Sequence, residues 1–329
     1  MAASEVPTLD ALQSLVSDDL DRVVDELRRI VVADFGLVDE VNEYLLMVRG
    51  KLFRPALTLL SNQVGGRPDP RATTLAAVVE LVHLATLVHD DAVDHSVLRR
   101  GQPTVNALWN HQVAIIMGDY LYSRAIIELS RLEMLEAVRV MANAANEMSV
   151  GEMRQLTSYD ALDFSEDDYN RLIAAKTASL MKAACEMGAL VGVPEYREPL
   201  GRFGHALGMA FQVADDLLDF TGTEAETGKP TGHDLRERKV TLPLVGALPH
   251  VTTDELDEIR AFFSGDREPT DDQISRVIEI TEDRGGLAYA RRQAQRYAEE
   301  AETALSELEP GPAVDALRAS VAYATQRRR

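Results

Sequence analysis

The spacing Asp90, Asp91, Asp94 recurs far down the chain as Asp215, Asp216, Asp219, and this repetition constrains the fold more than any other feature. On a helix, residues i and i+4 stack on one face with i+1 beside them, so each triad gathers three mutually repelling carboxylates. Such clusters make sense when cations sit between them. An all-oxygen ligand set suits Mg2+, which takes one or two carboxylates together with waters and phosphate oxygens. The first triad ends a long helical pattern over 71–94, where the helix dipole disfavours carboxylates, so stability alone does not select it. A lone triad reads as a solvated acidic face. Two triads facing each other across a bundle could instead hold several metal ions and a diphosphate, which requires both to lie in one domain.

The rest of the chain reads as helices. Leu9, Leu12, Val16, Leu20, Val23, Leu27 and Ile30 recur every three or four residues. Further helices are expected over 37–49, from Arg54-Pro55, and over 111–130, 133–158, 166–191 and 196–221. Three more should start at Thr253, Thr270 and Leu287, with Asp271 and Asp272 as caps. The polar, Gly-rich stretch 221–234 reads as a loop. With 46% hydrophobic and only 5% aromatic residues and few alternating β-branched runs, the class is all-α. The expected architecture is a single-domain antiparallel helical bundle over 1–329 around a central cavity.

A net charge of -20 argues against nucleic acid and anionic membrane as general partners. A polyanionic substrate would therefore need a local basic cluster. Arg99 and Arg100 follow the first triad directly, and the guanidinium fork suits phosphate. Only five of the 34 basic residues are lysines, at 51, 176, 182, 229 and 239, and most of them stand beside punctuation such as GK, KT or GKP. Cys185 is the only cysteine, which fits a reducing cytoplasm. The N-terminus has no leader pattern, and no stretch reaches the roughly 18 apolar residues of a membrane span.

Taken in order, GKLFRP, HDDAVD, RRGQPT, GDYLYSRA, GEMRQ, KT, FQVADDLLD and GKPTGHDLRERKVTLP give the chain, from about Gly50 to Pro243, a resemblance to the all-trans polyprenyl diphosphate synthases of the isoprenyl diphosphate synthase family. The resemblance implies the isoprenoid synthase-like fold, with a motif-bearing core over 50–243. It implies that Lys51, Arg54, His83 and Arg100 hold isopentenyl diphosphate, and that Arg99, Lys176, Thr177, Gln212, Lys229 and Lys239 hold the allylic diphosphate. Asp90, Asp91, Asp94, Asp215, Asp216 and Asp219 would bind Mg2+, three ions per site. Asp90, Asp91, Asp94, Asp215, Asp216 and Lys176 would carry the chemistry: the allylic diphosphate leaves, the double bond of isopentenyl diphosphate attacks the allylic cation, and a proton is lost to the departed diphosphate. One departure is Glu237-Arg238 where many relatives read Glu-Gly. The resemblance further implies a homodimer that contacts membrane only transiently, for product release.

Other readings are a terpene cyclase, a non-catalytic subunit, and the catalytic subunit of a heteromeric synthase. The second triad and full lysine set argue against a dead subunit; Lys51, Arg54 and His83 argue against a cyclase, which needs no second diphosphate. Glu80-x-x-His83 matches half of a di-iron signature, but such a site needs two pairs. Product length should depend on the helix below Asp90. There Ala85 and Thr86 meet the growing tail first, followed by Val82, and none is aromatic. That favours a long product of the octaprenyl or nonaprenyl class, suited to a quinone side chain, over a geranylgeranyl-length one. Met117, Met141 or Met148 could supply a floor from another helix.

Overall fold

The structure is a computed structural model that describes residues 7–48, 50–99, 101–157, 161–222, 231–265 and 267–326. The expected all-α class is the one observed. Helices α1 (Ser17–Val31), α2 (Gly36–Met47), α3 (Phe53–Gln63), α4 (Arg71–Val93), α5 (His111–Arg131) and α6 (Leu135–Thr157) form the first half. They are followed by α7 (Glu166–Ile173), α8 (Ser179–Gly192) and α9 (Arg197–Thr221), the first two joined by a π-helical turn, Ala174–Ala178. The C-terminal part comprises α10 (His233–Arg236), α11 (Leu242–Ala247), α12 (Thr253–Phe263), α13 (Asp271–Asp283), α14 (Gly286–Leu305) and α15 (Pro312–Gln326). The described strands are a two-residue pair, β1 (Leu98–Arg99) and β2 (Gln102–Pro103), turned by Gly101 at φ 75°.

Local chemistry accounts for the starts. Ser165, Thr252 and Thr270 each close a capping box with the residue three positions on. The cap of α13 is therefore Thr270, and Asp271 and Asp272 lie in its first turn, where the dipole favours them. The predicted helix over 166–191 is broken by the π-turn, and α10, α11 and α15 are helices that periodicity alone did not mark.

The bundle is built around α4, whose apolar residues face every direction, as expected of a helix surrounded by others. It packs against α1, α3, α5 and α8. By mean hydropathy, 1.5 over an 18-residue window, α4 is long and apolar enough to cross a membrane although polar residues interrupt it. A core helix in an all-helical protein meets the same apolar surroundings as a membrane helix, and 67% of that window is buried inside the protein. Close approach on the other side of the core depends on glycine. A Cβ at Gly188 of α8 would lie 2.0 Å from the Thr58 carbonyl of α3, and one at Gly204 of α9 would lie 2.6 Å from the Met181 carbonyl of α8. These contacts let α8 sit between α3 and α9 and set the separation of the two acidic helices.

Candidate active site

The C-terminal end of α4 and the C-terminal half of α9 open onto one cavity of about 530 Å³, walled also by α6, α7, the π-turn and residues 234–241. Asp90 lines it from α4 and Asp216 from α9. Burial pushes the Asp90 carboxyl up to about 6, Lys176 and Arg99 pull it down, and Glu152 and Asp94 add to the rise. Its neighbour Asp91 is buried and gripped by Arg99, whose Nε lies 2.9 Å from both carboxylate oxygens and whose Nη2 lies 2.8 Å from one of them. Arg99, expected at the allylic diphosphate, is thus committed to Asp91 here. The β1–β2 hairpin folds it back onto α4.

Across the cavity, Asp216 is 3% exposed. It accepts a hydrogen bond from the Tyr169 hydroxyl at 2.5 Å and another from Gln212 Nε2 at 2.9 Å; Gln212 Oε1 in turn accepts from Thr177 Oγ1 at 2.8 Å. Burial holds the Asp216 carboxyl well above the usual range, and nearby Asp234 adds to the effect. Both Asp219 oxygens are taken by backbone amides, those of His233 and Asp234, each at 3.0 Å. In this arrangement Asp219 joins α9 to α10, a role its spacing in the triad does not disclose.

Lys176 and Thr177 lie in the π-turn, and both line the cavity. Such turns recur at functional sites because they re-aim side chains within an otherwise regular helix. Lys176 forms an ion pair with Glu152 and donates to Gln155 Oε1 at 3.0 Å, both on α6. Lys239 pairs with Glu237 at 2.6 Å. Burial lowers the pKa of Lys239, but Glu237, Asp94 and Asp234 outweigh it and leave the ammonium raised.

Arg54 and His83 meet at 3.1 Å in the cavity wall. Lys51 is exposed, just before α3, and does not line the cavity; its carbonyl accepts from Gln13. Arg100 and Lys229, and the Arg327 to Arg329 tail, lie outside the described residues. Among the described residues, no preformed group of three or more His, Cys, Asp or Glu side chains could hold a metal ion. Glu80 is buried in the core, and no described residue there completes a di-iron site.

The residues expected to meet the growing tail are placed unequally. Thr86 lines the cavity, with Leu87 beside it, whereas Ala85 and Val82 are 2% and 0% exposed in the core and do not line it. On a helix ringed by neighbours, the turn below Asp90 offers only one face to the cavity, and counting back from Asp90 does not say which. Met148 from α6 does line it; Met117 and Met141 are core. Sequence reasoning left Glu152, Gln155, Tyr169, Asp234 and Glu237 without roles. Glu152 and Gln155 at i and i+3 in GEMRQ, and Tyr169 two turns before Lys176, were the signals available.

Asp90 and Asp216, one from each triad, share a cavity of this all-α bundle with Lys176, Lys239 and apolar side chains, an arrangement that fits a prenyltransferase. The chain belongs to the polyprenyl synthetase family, whose profile matches residues 36–281. It is 42% identical over 242 residues to heptaprenyl diphosphate synthase component 2 of Geobacillus stearothermophilus, covering 73% of this chain and 76% of the relative. It is 35% identical over 324 residues to octaprenyl diphosphate synthase of Escherichia coli, covering 98% and 99%. Among solved structures, a polyprenyl synthase from Caulobacter crescentus complexed with calcium and isoprenyl diphosphate superposes with a TM-score of 0.92 at 33% identity, covering 99% of this chain and all of that one.

Proposed function

We propose that the protein, as one domain over 1–329, condenses isopentenyl diphosphate units onto an allylic diphosphate to build a long all-trans polyprenyl diphosphate of the octaprenyl or nonaprenyl class, for a quinone side chain. The observation that carries this is the convergence of Asp90, Asp216, Lys176 and Lys239 on a cavity whose remaining wall includes Thr86, Met148, Leu172 and Leu180. Such a wall offers charge to the diphosphates and apolar surface to the tail.

The carboxylates of Asp90, Asp91, Asp94, Asp215, Asp216 and Asp219 form the donor set for Mg2+, three ions per site, and the fit rests on their hard oxygen chemistry and on Asp90 and Asp216, one from each triad, lining the same cavity. Bound Mg2+ supplies neutralisation of the diphosphate. Lys176 and Lys239 leave Glu152 and Glu237 to meet diphosphate oxygens, with Thr177, Gln212, Arg99 and Lys229 completing the allylic site. Their positive charge faces the oxygens on which negative charge builds as the allylic C–O bond breaks. Lys51, Arg54, His83 and Arg100 hold the second diphosphate so that its double bond faces the allylic carbon. The apolar walls keep water from the cation, and the proton lost after coupling passes to the departed diphosphate.

The protein works in the cytoplasm as a homodimer. Ile115, Ile116 and Ile127 leave an exposed apolar strip on α5 that a second copy would cover, and membrane contact is transient. A heteromeric synthase is the second reading, because one relative is named as a component. A geranylgeranyl-length product is the alternative for length. The test is incubation of the pure protein with farnesyl diphosphate, isopentenyl diphosphate and Mg2+, followed by product sizing, with Asp90→Ala and Asp215→Ala alongside. Long products, lost in both variants while helical circular dichroism is kept, are expected. No product from the protein alone would remove the homomeric reading, and near-normal turnover in either variant would remove the two-triad site.

A further inference from the structure

The turn that delivers Lys239 to the cavity is closed by an arginine at a position whose backbone favours glycine. After α10 and Glu237, the Arg238 amide donates to the Leu235 carbonyl at 3.0 Å and the Lys239 amide to the Asp234 carbonyl at 2.8 Å. This pair of bonds is a Schellman closure, which ends a helix through one residue in the left-handed region. That residue is Arg238, with φ 55°. Side chains other than those of glycine and asparagine meet steric resistance there. The arginine therefore brings something that offsets it.

Its guanidinium reaches away from the turn. Nη2 donates to the Arg267 carbonyl at 2.6 Å, and the guanidinium carbon lies 5.4 Å from the centroid of the Phe262 ring. Phe262 is 4% exposed at the end of α12, so the anchor is itself fixed in a core. Nη1 is buried and makes no hydrogen bond, so the hydrogen bond of the guanidinium is the one from Nη2 to this anchor. The tethered segment is a wall of the cavity, because Asp234, Glu237, Arg238 itself, Lys239, Val240 and Thr241 all line it. Lys239 is held by Glu237. A diphosphate taking that ammonium would end the pairing, and the backbone turn alone would then aim the side chain.

We propose that Arg238 is a positioning residue: it clamps residues 234–241 onto Phe262 and the 267 carbonyl, so that Lys239 stays directed into the cavity when a diphosphate oxygen displaces Glu237. The functional part rests on the reading of Lys239 as an allylic-diphosphate ligand.

Arg238→Asn keeps a side chain that tolerates the left-handed backbone and removes the guanidinium. Loss of one hydrogen bond and one cation–π contact should raise the allylic KM about five- to tenfold, with a smaller change in kcat and an unchanged isopentenyl diphosphate KM. Amides 238 and 239 should exchange with solvent several-fold faster. Phe262→Leu should produce the same trend without adding fully to Arg238→Asn, as expected of two residues in one contact. Unchanged exchange at the two amides overturns the clamp. Faster exchange with an unchanged allylic KM, while Lys239→Ala raises it, overturns the positioning role. If Lys239→Ala leaves the allylic KM unchanged, the ligand reading of Lys239 fails instead, and the exchange rates alone decide whether the clamp exists.

Discussion

Removing one oxygen atom, by Tyr169→Phe, should disable a carboxylate on the opposite helix. Tyr169 is 1% exposed, and its hydroxyl is one of two donors to Asp216 among the described residues; Asp216 is itself 3% exposed. The ring stays in its packing place, so the loss is one hydrogen bond with almost no cavity. A bond to an ionised acceptor contributes roughly 1.5–3 kcal/mol, and one to a neutral acceptor roughly 0.5–1.5 kcal/mol. In the resting protein burial pushes Asp216 toward its protonated form, so the smaller figure applies to folding. That corresponds to a fall in Tm of only a few degrees for a chain of this size. On the proposed role, with Asp216 ionised to receive metal, the larger figure applies, equivalent to about 10- to 150-fold. The assay is kcat/KM against Mg2+ concentration, with a thermal melt of the same samples. A loss of tenfold or more with a raised Mg2+ requirement and a near-normal melt is expected. An unchanged Mg2+ requirement and wild-type turnover would show that Tyr169 does not hold Asp216 in the working enzyme.

Lys51→Ala should raise the KM for isopentenyl diphosphate more than that for the allylic partner, and Lys239→Ala the reverse; equal effects on both would show that the two substrate sites are misassigned. Thr86→Phe should fill the cavity directly and shorten the product while the first condensation survives. Ala85→Phe should act the same way, by forcing its neighbours toward the cavity, and wild-type length from both would remove α4 from the wall that sets length. The Arg284 guanidinium, 2.6 Å from Glu255, lowers that carboxyl to about 2, with the Thr252 amide contributing. A depressed folded value means that this contribution is present above the ordinary carboxylate range and is lost as pH falls toward 2. Glu255→Gln should accordingly flatten the acid limb of a Tm-against-pH curve, and an unchanged limb would exclude the pair as its source.

Much of the site is legible in the sequence because helices impose local rules. A period of 3.6 residues puts Asp90 beside Asp94 and Gln212 beside Asp216 whatever else the chain does, and the Gln212–Asp216 bond at 2.9 Å is that rule realised. The helix starts near Thr253 and Thr270 are equally local, although the capping residue of the second is Thr270 and not the expected Asp271 or Asp272. Charge belongs to the same level: in an acidic chain sparing of lysine, the five lysines stand out as a set that includes Lys176 and Lys239. What periodicity does not carry is which neighbour a face meets. Ala85 and Thr86 are adjacent and both small, yet only Thr86 lines the cavity, because α4 is enclosed and its remaining faces are taken by other helices. Arg99 turns back onto Asp91, Asp219 binds the amides of His233 and Asp234, and Tyr169 reaches Asp216 from another helix. Each pairing depends on how closely two backbones approach, as Gly188 and Gly204 permit for α8. That separation is set by the packing of the whole core and not by any window of the chain.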